Sequence, residues 1–198
     1  MSAKPYHAGH DGLIRTAAAE CDDVIVFVSL SDRKRPGETI VRGADMAKIW
    51  HDLIEPTLPA NVRVVYGGSP ITNLWAELGR AESSRSPDTY LIFSDPTDMA
   101  QRFGRSSMEK YAGELARSGR VVLRPIRRTS TVNVSGTMMR SYLASGDMQS
   151  FIANMPSTID AVNVWKILRA GMMTELRTHV RTVMHDVIFG SAACPRSC

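Results

Sequence analysis

The chain has 198 residues, 43% hydrophobic and 22% charged, with a formal net charge of +4. That is enough sequence for one domain, or one domain with an appendage, around a sizeable core, and it excludes a disordered or fibrous chain. The charge is mild and scattered, Arg127-Arg128 being its densest basic point, so a small polyanion is the expected partner and nucleic acid is not.

The longest apolar run, Val24 to Val28, is too short to span a bilayer. Lys4-Pro5 leads into polar residues rather than the apolar stretch of a signal peptide. A cytoplasmic location with no membrane partner is the expectation. The three cysteines, Cys21, Cys194 and Cys198, are odd in number and scattered, which reads as free thiols in a reducing compartment.

In chain order, Asp11 to Glu20 reads as a helix with Leu13, Ile14, Ala17 and Ala18 on one face. Val24 to Leu30 is a β-branched run expected to form a strand buried on both faces. Arg42 to Leu53 places Met46, Ile49, Trp50 and Leu53 at helical spacing and should stop near Pro56. Val62 to Tyr66 is a second strand, Ile71 to Leu78 a helix, and Ala81 to Asp88 a surface loop by composition. Tyr90 to Phe93 is a third strand, Met108 to Arg117 a helix, and Val121 to Ile126 a fourth strand. Short helices over Thr137 to Ala144 and Met148 to Ala153, then Asp160 to Leu168 and Thr174 to Phe189, make a helical C-terminal region. Strands alternating with helices imply βαβ units and a parallel sheet, which binds ligands beyond the carboxyl ends of its strands.

Two segments carry chemistry. Lys4-Pro5-Tyr6-His7-Ala8-Gly9-His10 runs directly into the first helix. A glycine there lets a phosphate approach the backbone, and a helix start offers N–H groups and a positive dipole end to an anion. His7 and His10 could donate to phosphoryl oxygens as charge shifts in a transition state. Two histidines at this spacing could also be part of a metal site or an affinity-tag remnant. The second segment, Val134-Ser135-Gly136-Thr137-Met138-Met139-Arg140, follows the last strand. Ser135 and Thr137 are good caps for a helix starting there, and Arg140 returns to the face of Thr137, where its fork suits a phosphate. An ordinary capped surface helix is the alternative for that segment by itself.

Pro-x-His-x-Gly-His opening a helix resembles the first signature of the cytidylyltransferase-like superfamily of HxGH nucleotidyltransferases. Its members include adenylyltransferases acting on nicotinamide mononucleotide, pantetheine phosphate and flavin mononucleotide, and cytidylyltransferases acting on glycerol phosphate and choline phosphate. Val134 to Arg140 resembles that family's Ile-Ser-Ser-Thr-x-x-Arg signature, with Gly136 in place of the second serine. The resemblance implies a Rossmann-like doubly wound parallel sheet over residues 1–145; the helical pattern itself gives a C-terminal helical region over 146–190, and the tail over 191–198 reads as disordered. It implies transfer of a nucleoside monophosphate from ATP or CTP to a phosphate-bearing small molecule, with release of pyrophosphate and with Mg2+ accompanying the triphosphate. Catalytic roles carry over to His7, His10 and Arg140, and nucleotide contacts to Lys4, Gly9, Asp95, Arg128, Ser135, Gly136 and Thr137; no residue is assigned as a metal ligand. Asp95 and Asp98 could contact ribose or acceptor, or hold magnesium through water. Ser29-Leu30-Ser31-Asp32-Arg33 lies where family members place substrate-binding residues. Arg140 resembles the adenylyltransferase version, which makes ATP and nicotinamide mononucleotide the first expectation. The alternative is a catalytically silent nucleotide-binding or assembly protein of the same fold.

Two departures shape that expectation. The family places a central strand before the first motif, and only Met1, Ser2 and Ala3 precede Lys4, too few for a strand. Either the true start lies upstream, which is the favoured explanation, or another segment or subunit fills the slot, or the fold is kept loosely without catalysis. Direct pairing of Val24–Leu30 with Tyr90–Phe93 would exclude the first explanation. Beyond the sheet, Leu176, Val180, Val183, Met184, Val187 and Ile188 form a helical stripe. It is expected to pack on its own domain, with a homo-oligomer interface as the alternative.

Overall fold

Four apolar, largely β-branched runs become the strands: β1 (Val24–Val28), β2 (Val62–Tyr66), β3 (Tyr90–Ser94) and β4 (Val121–Pro125). They alternate with α1 (Ala8–Glu20), α2 (Gly43–Ile49), α3 (Pro70–Ser83), α4 (Pro96–Arg102), α5 (Arg105–Tyr111) and α6 (Gly113–Arg117). Helices α7 (Gly136–Ser145), α8 (Met148–Ala153) and α9 (residues 161–174) follow. The computed structural model describes residues 1, 3–33, 38–126 and 134–174. Arg127-Arg128-Thr129, the expected helix beyond residue 174 and the C-terminal cysteines lie outside the described residues.

The α/β alternation is as expected, but the described strands form two parallel pairs rather than one sheet. β1 runs beside β2 in a register from Val24↔Val62 to Val28↔Tyr66. β3 runs beside β4 from Tyr90↔Val121 to Ser94↔Pro125. β1 and β3 are not paired with each other, although α1 packs against both. The outer edge of β1 does hold one further rung. The Met1 amino group donates to the Phe27 carbonyl, and Ser29 N–H donates to the Met1 carbonyl at 3.3 Å, the pattern of a single parallel bridge opposite Val28. β1 is not buried on both faces: Val26 and Val28 are buried and Val24, Ile25 and Phe27 only partly so, as on a strand covered chiefly from one side.

Each strand pair has its own core. Tyr6, Ile14, Val28, Trp50, Met139 and Phe151 belong to the larger one, which joins β1 to α1, α2 and the C-terminal helices α7 to α9. Leu78, Ile92, Met99, Phe103 and Leu115 form the smaller one under β3. Among the described residues, no helix is long and apolar enough to cross a membrane.

Several boundaries moved. The second helix ends near Pro56 as expected, but its last turns are irregular, a π-helical turn over Trp50–Ile54 and a 3-10 turn over Glu55–Thr57, with Trp50 and Ile54 fully buried. α3 runs to Ser83, so Ala81 is core rather than surface loop. The single helix expected over Met108 to Arg117 is two, broken at Ala112, whose φ of −149° and ψ of 39° are not helical. A helix that the sequence reading did not include, α4, follows β3, with Asp95 as its cap and Pro96 in its first turn.

Candidate phosphate-binding site

The first motif folds around its own histidine. His7 is the N-cap of α1, in extended backbone geometry, and its Nδ1 accepts from Gly9 N–H at 3.1 Å. An accepting Nδ1 places the proton of the neutral ring on Nε2, so the imidazole turns a donor away from the helix. The ring lies flat enough on Gly9 that a Cβ there would sit 3.1 Å from His7 Cε1, which is why the position suits glycine. His10, one helical turn on, holds its ring centroid 3.8 Å from that of His7 and 5.8 Å from that of Tyr6.

The start of α1 does not offer the free N–H groups expected of it. Ala8 N–H donates to the Asn154 carbonyl at 3.0 Å, Gly9 N–H to His7 Nδ1, and His10 and Asp11 N–H to the His7 carbonyl at 2.9 and 3.2 Å. An anion at this end of α1 would therefore be met by side chains and by the helix dipole.

α7 is different. The Ser135 hydroxyl caps it by accepting from Met138 N–H at 3.2 Å. Gly136 and Thr137 N–H make no hydrogen bond to any described residue, and both residues are at least partly exposed. Thr137 is not a cap: its hydroxyl takes a bond of 3.0 Å from Arg140 Nη2.

Arg140 joins the two motifs. Its Nη1 donates to the Lys4 carbonyl at 2.8 Å, across 136 residues of sequence, and the residue is buried, 5% exposed. Gly136 fits that tie. A Cβ at Gly136 would lie 3.1 Å from Arg140 Nη1 and 3.3 Å from the Lys4 carbonyl oxygen, so a side chain there crowds the link between motifs.

Lys4 is also buried, and its ammonium donates to the carbonyl of Ser31, just beyond the carboxyl end of β1, with Ser31 Oγ at 3.4 Å. Burial lowers its pKa, Asp32 opposing the shift and Arg33 adding to it. Asp32 faces the other way as well, accepting from Gly43 N–H at 2.9 Å at the start of α2. Arg33 and Arg140 converge on Glu38, at 3.2 and 3.1 Å.

The structure thus brings Lys4, His7, Gly9, His10, Ser135, Gly136, Thr137 and Arg140 into one region beyond the end of β1. Asp95 caps α4, accepting from Thr97 N–H at 2.9 Å. Arg128 lies outside the described residues. A shallow surface depression lined by Glu77, Arg80, Ser84 and Tyr90 includes none of the motif residues.

Sequence reading missed two parts of this region. Glu38 carries no pattern that marks it; it lies between the two residues of the Arg33↔Val41 bridge. Tyr6 and Asp11 support α1 from inside: Tyr6 Oη lies 3.1 Å from Asp11 Oδ1, and Arg15 Nε donates to Asp11 Oδ2 at 2.7 Å. Burial first, then the Asp11 carboxylate, push the Tyr6 phenol well above its ordinary range, so it stays a donor. The i to i+4 spacing of Asp11 and Arg15 was a readable signal for that pair.

No family model matches the chain, and no curated protein or solved structure matches it.

Proposed function

We propose that the chain is a nucleotidyltransferase built on a Rossmann-like doubly wound α/β plan. It transfers a nucleoside monophosphate from ATP, in preference to CTP, to a phosphate-bearing small molecule and releases pyrophosphate. Nicotinamide mononucleotide is the first acceptor to try. The observation that carries this reading is the Arg140–Lys4 tie, which sets the cationic second motif and the open N–H groups of α7 beside the paired histidines.

In this reading the triphosphate lies along the start of α7, against Arg140, Lys4 and the Gly136 and Thr137 N–H groups. The acceptor phosphate, already an anion, attacks the α-phosphorus in line and needs no general base. His7 Nε2–H and His10 donate to the oxygens that gain charge, so catalysis is positioning and charge stabilisation. Among the described residues no three His, Cys, Asp or Glu side chains converge as a metal cage. Magnesium belongs to the proposal as the counter-ion that arrives with the triphosphate.

The test is pyrophosphate release from ATP and from CTP with a panel of phosphate acceptors, for the wild type and His10→Ala. Release with at least one acceptor is expected, falling roughly a hundredfold or more in the variant. No release with any acceptor overturns the reading. A second reading, a silent nucleotide-binding module of the same fold, is favoured by the separation of the strand pairs. It requires nucleotide binding without turnover.

A further inference from the structure

We infer that Glu38 is a built-in competitor for the phosphate position on Arg140, so that an anion binds by displacing a carboxylate of the protein itself. The inference rests on the proposed reading of Arg140 as a phosphate ligand.

The geometry is that of a filled anion site. One oxygen, Glu38 Oε2, lies 3.1 Å from Arg140 Nη2 and 3.2 Å from Arg33 Nε. The remaining bonds of the Arg140 fork hold it in place, Nη1 on the Lys4 carbonyl and Nη2 also on Thr137 Oγ1. The Arg140 side chain is only 6% exposed, whereas that of Glu38 is 25% exposed. The carboxylate therefore sits at the mouth, over a cation that is fixed behind it. Its strand of chain is anchored at the base: Arg33 N–H donates to the Val41 carbonyl at 2.9 Å, and Val41 N–H returns to Arg33 at 3.3 Å. Val41 is buried, and Gly43 is packed so closely on the Leu30 carbonyl that a Cβ would lie 1.6 Å from it. The carboxylate can leave while that base stays.

Physical chemistry gives the arrangement a purpose. A guanidinium this buried with no anion beside it carries an uncompensated desolvation cost. Glu38 offsets that cost in the empty protein. A phosphate carries more charge and more acceptor oxygens than a carboxylate and can use the α7 N–H groups as well. A monocarboxylate ligand offers Arg140 no advantage over Glu38. Glu38 thus selects for polyphosphates over weaker anions.

The experiment is calorimetric titration of the full chain with inorganic pyrophosphate, and with acetate, for the wild type, Glu38→Gln, Glu38→Ala and Arg140→Met, with melting curves alongside. Glu38→Gln and Glu38→Ala are expected to bind pyrophosphate roughly tenfold more tightly, the size of one charge-assisted hydrogen bond no longer broken. Both should melt at lower temperature when empty and gain more from pyrophosphate than the wild type does. Acetate should bind measurably only to these two variants. Unchanged or weaker pyrophosphate binding in both, with Arg140→Met weaker than wild type, overturns the competitor role and leaves the phosphate site standing. Arg140→Met binding as well as the wild type overturns the phosphate site itself.

Discussion

His7 does two jobs that a substitution can separate. Its Nδ1 caps α1, and its opposite nitrogen is the donor that the proposed chemistry uses. Asparagine is an equally good cap in extended backbone geometry but has no imidazole. His7→Asn is therefore expected to keep its unfolding free energy within about 0.5 kcal/mol of wild type, while His7→Ala loses about 1 kcal/mol. Both should lose pyrophosphate release. Urea denaturation and the release assay, run on the same preparations, check the two halves. A His7→Asn protein that still turns over would remove the imidazole from the mechanism. At this scale the sequence was informative where the local arrangement depends on residue type at fixed spacing. His7, Gly9, His10, Ser135 and Arg140 were visible because caps, glycines and forked cations have local signatures. Glu38 was not, since it meets Arg140 only after the chain between has folded.

Helices show the same division. β2 and α8 were legible to the residue, because β-branched runs and a capped apolar face are local properties. α4 carries a local signal in Asp95-Pro96, a cap followed by a first-turn proline. The π-helical turn at Trp50 had no such signal: it accompanies an indole held edge-on to Tyr6 at 5.1 Å, a tertiary contact. α9 yields a prediction of its own. Gly171 stands where a Cβ would lie 1.9 Å from Asp45 Oδ2. That carboxylate is held by the Arg42 fork, at 2.8 and 2.7 Å. On an isolated helix Gly→Ala would stabilise by up to about 1 kcal/mol. Here the methyl group must push a doubly bonded carboxylate aside, and overpacking of that kind costs about 1–3 kcal/mol. Gly171→Ala should lower the melting temperature, and Gly171→Ala with Asp45→Ala should lower it less than the two single losses summed. A rise in melting temperature for Gly171→Ala would show that α9 is not seated on α2 in this way.

At the scale of the whole molecule, the feature that matters is the edge of β1, where Met1 forms a single rung and β3 stands unpaired to it. The Met1 ammonium is buried there. Burial takes its pKa from 8.0 down to about 5, with the Asp98 carboxylate opposing the shift and Lys4 adding to it. Between those two values the unfolded chain holds a proton that the folded chain has released, so acid favours unfolding. The stability is fully present above pH 8 and is lost as pH falls through 5. At roughly 1.4 kcal/mol per unit, the whole window is worth on the order of a few kcal/mol. A protein whose first residue is Met1 should therefore unfold at lower urea concentration at pH 5.5 than at pH 8. Adding β-branched residues ahead of Met1 converts the buried ammonium into an amide N–H, a group that keeps the bond to Phe27 without the charge. It also gives the edge of β1 further parallel rungs. The extended protein is expected to be more stable at every pH in this window and to lose most of the slope between pH 5.5 and 8. A slope equal in both proteins would place its origin in other groups, and an extension that lost the slope without raising stability at pH 8 would show that the edge of β1 gains nothing from a longer strand.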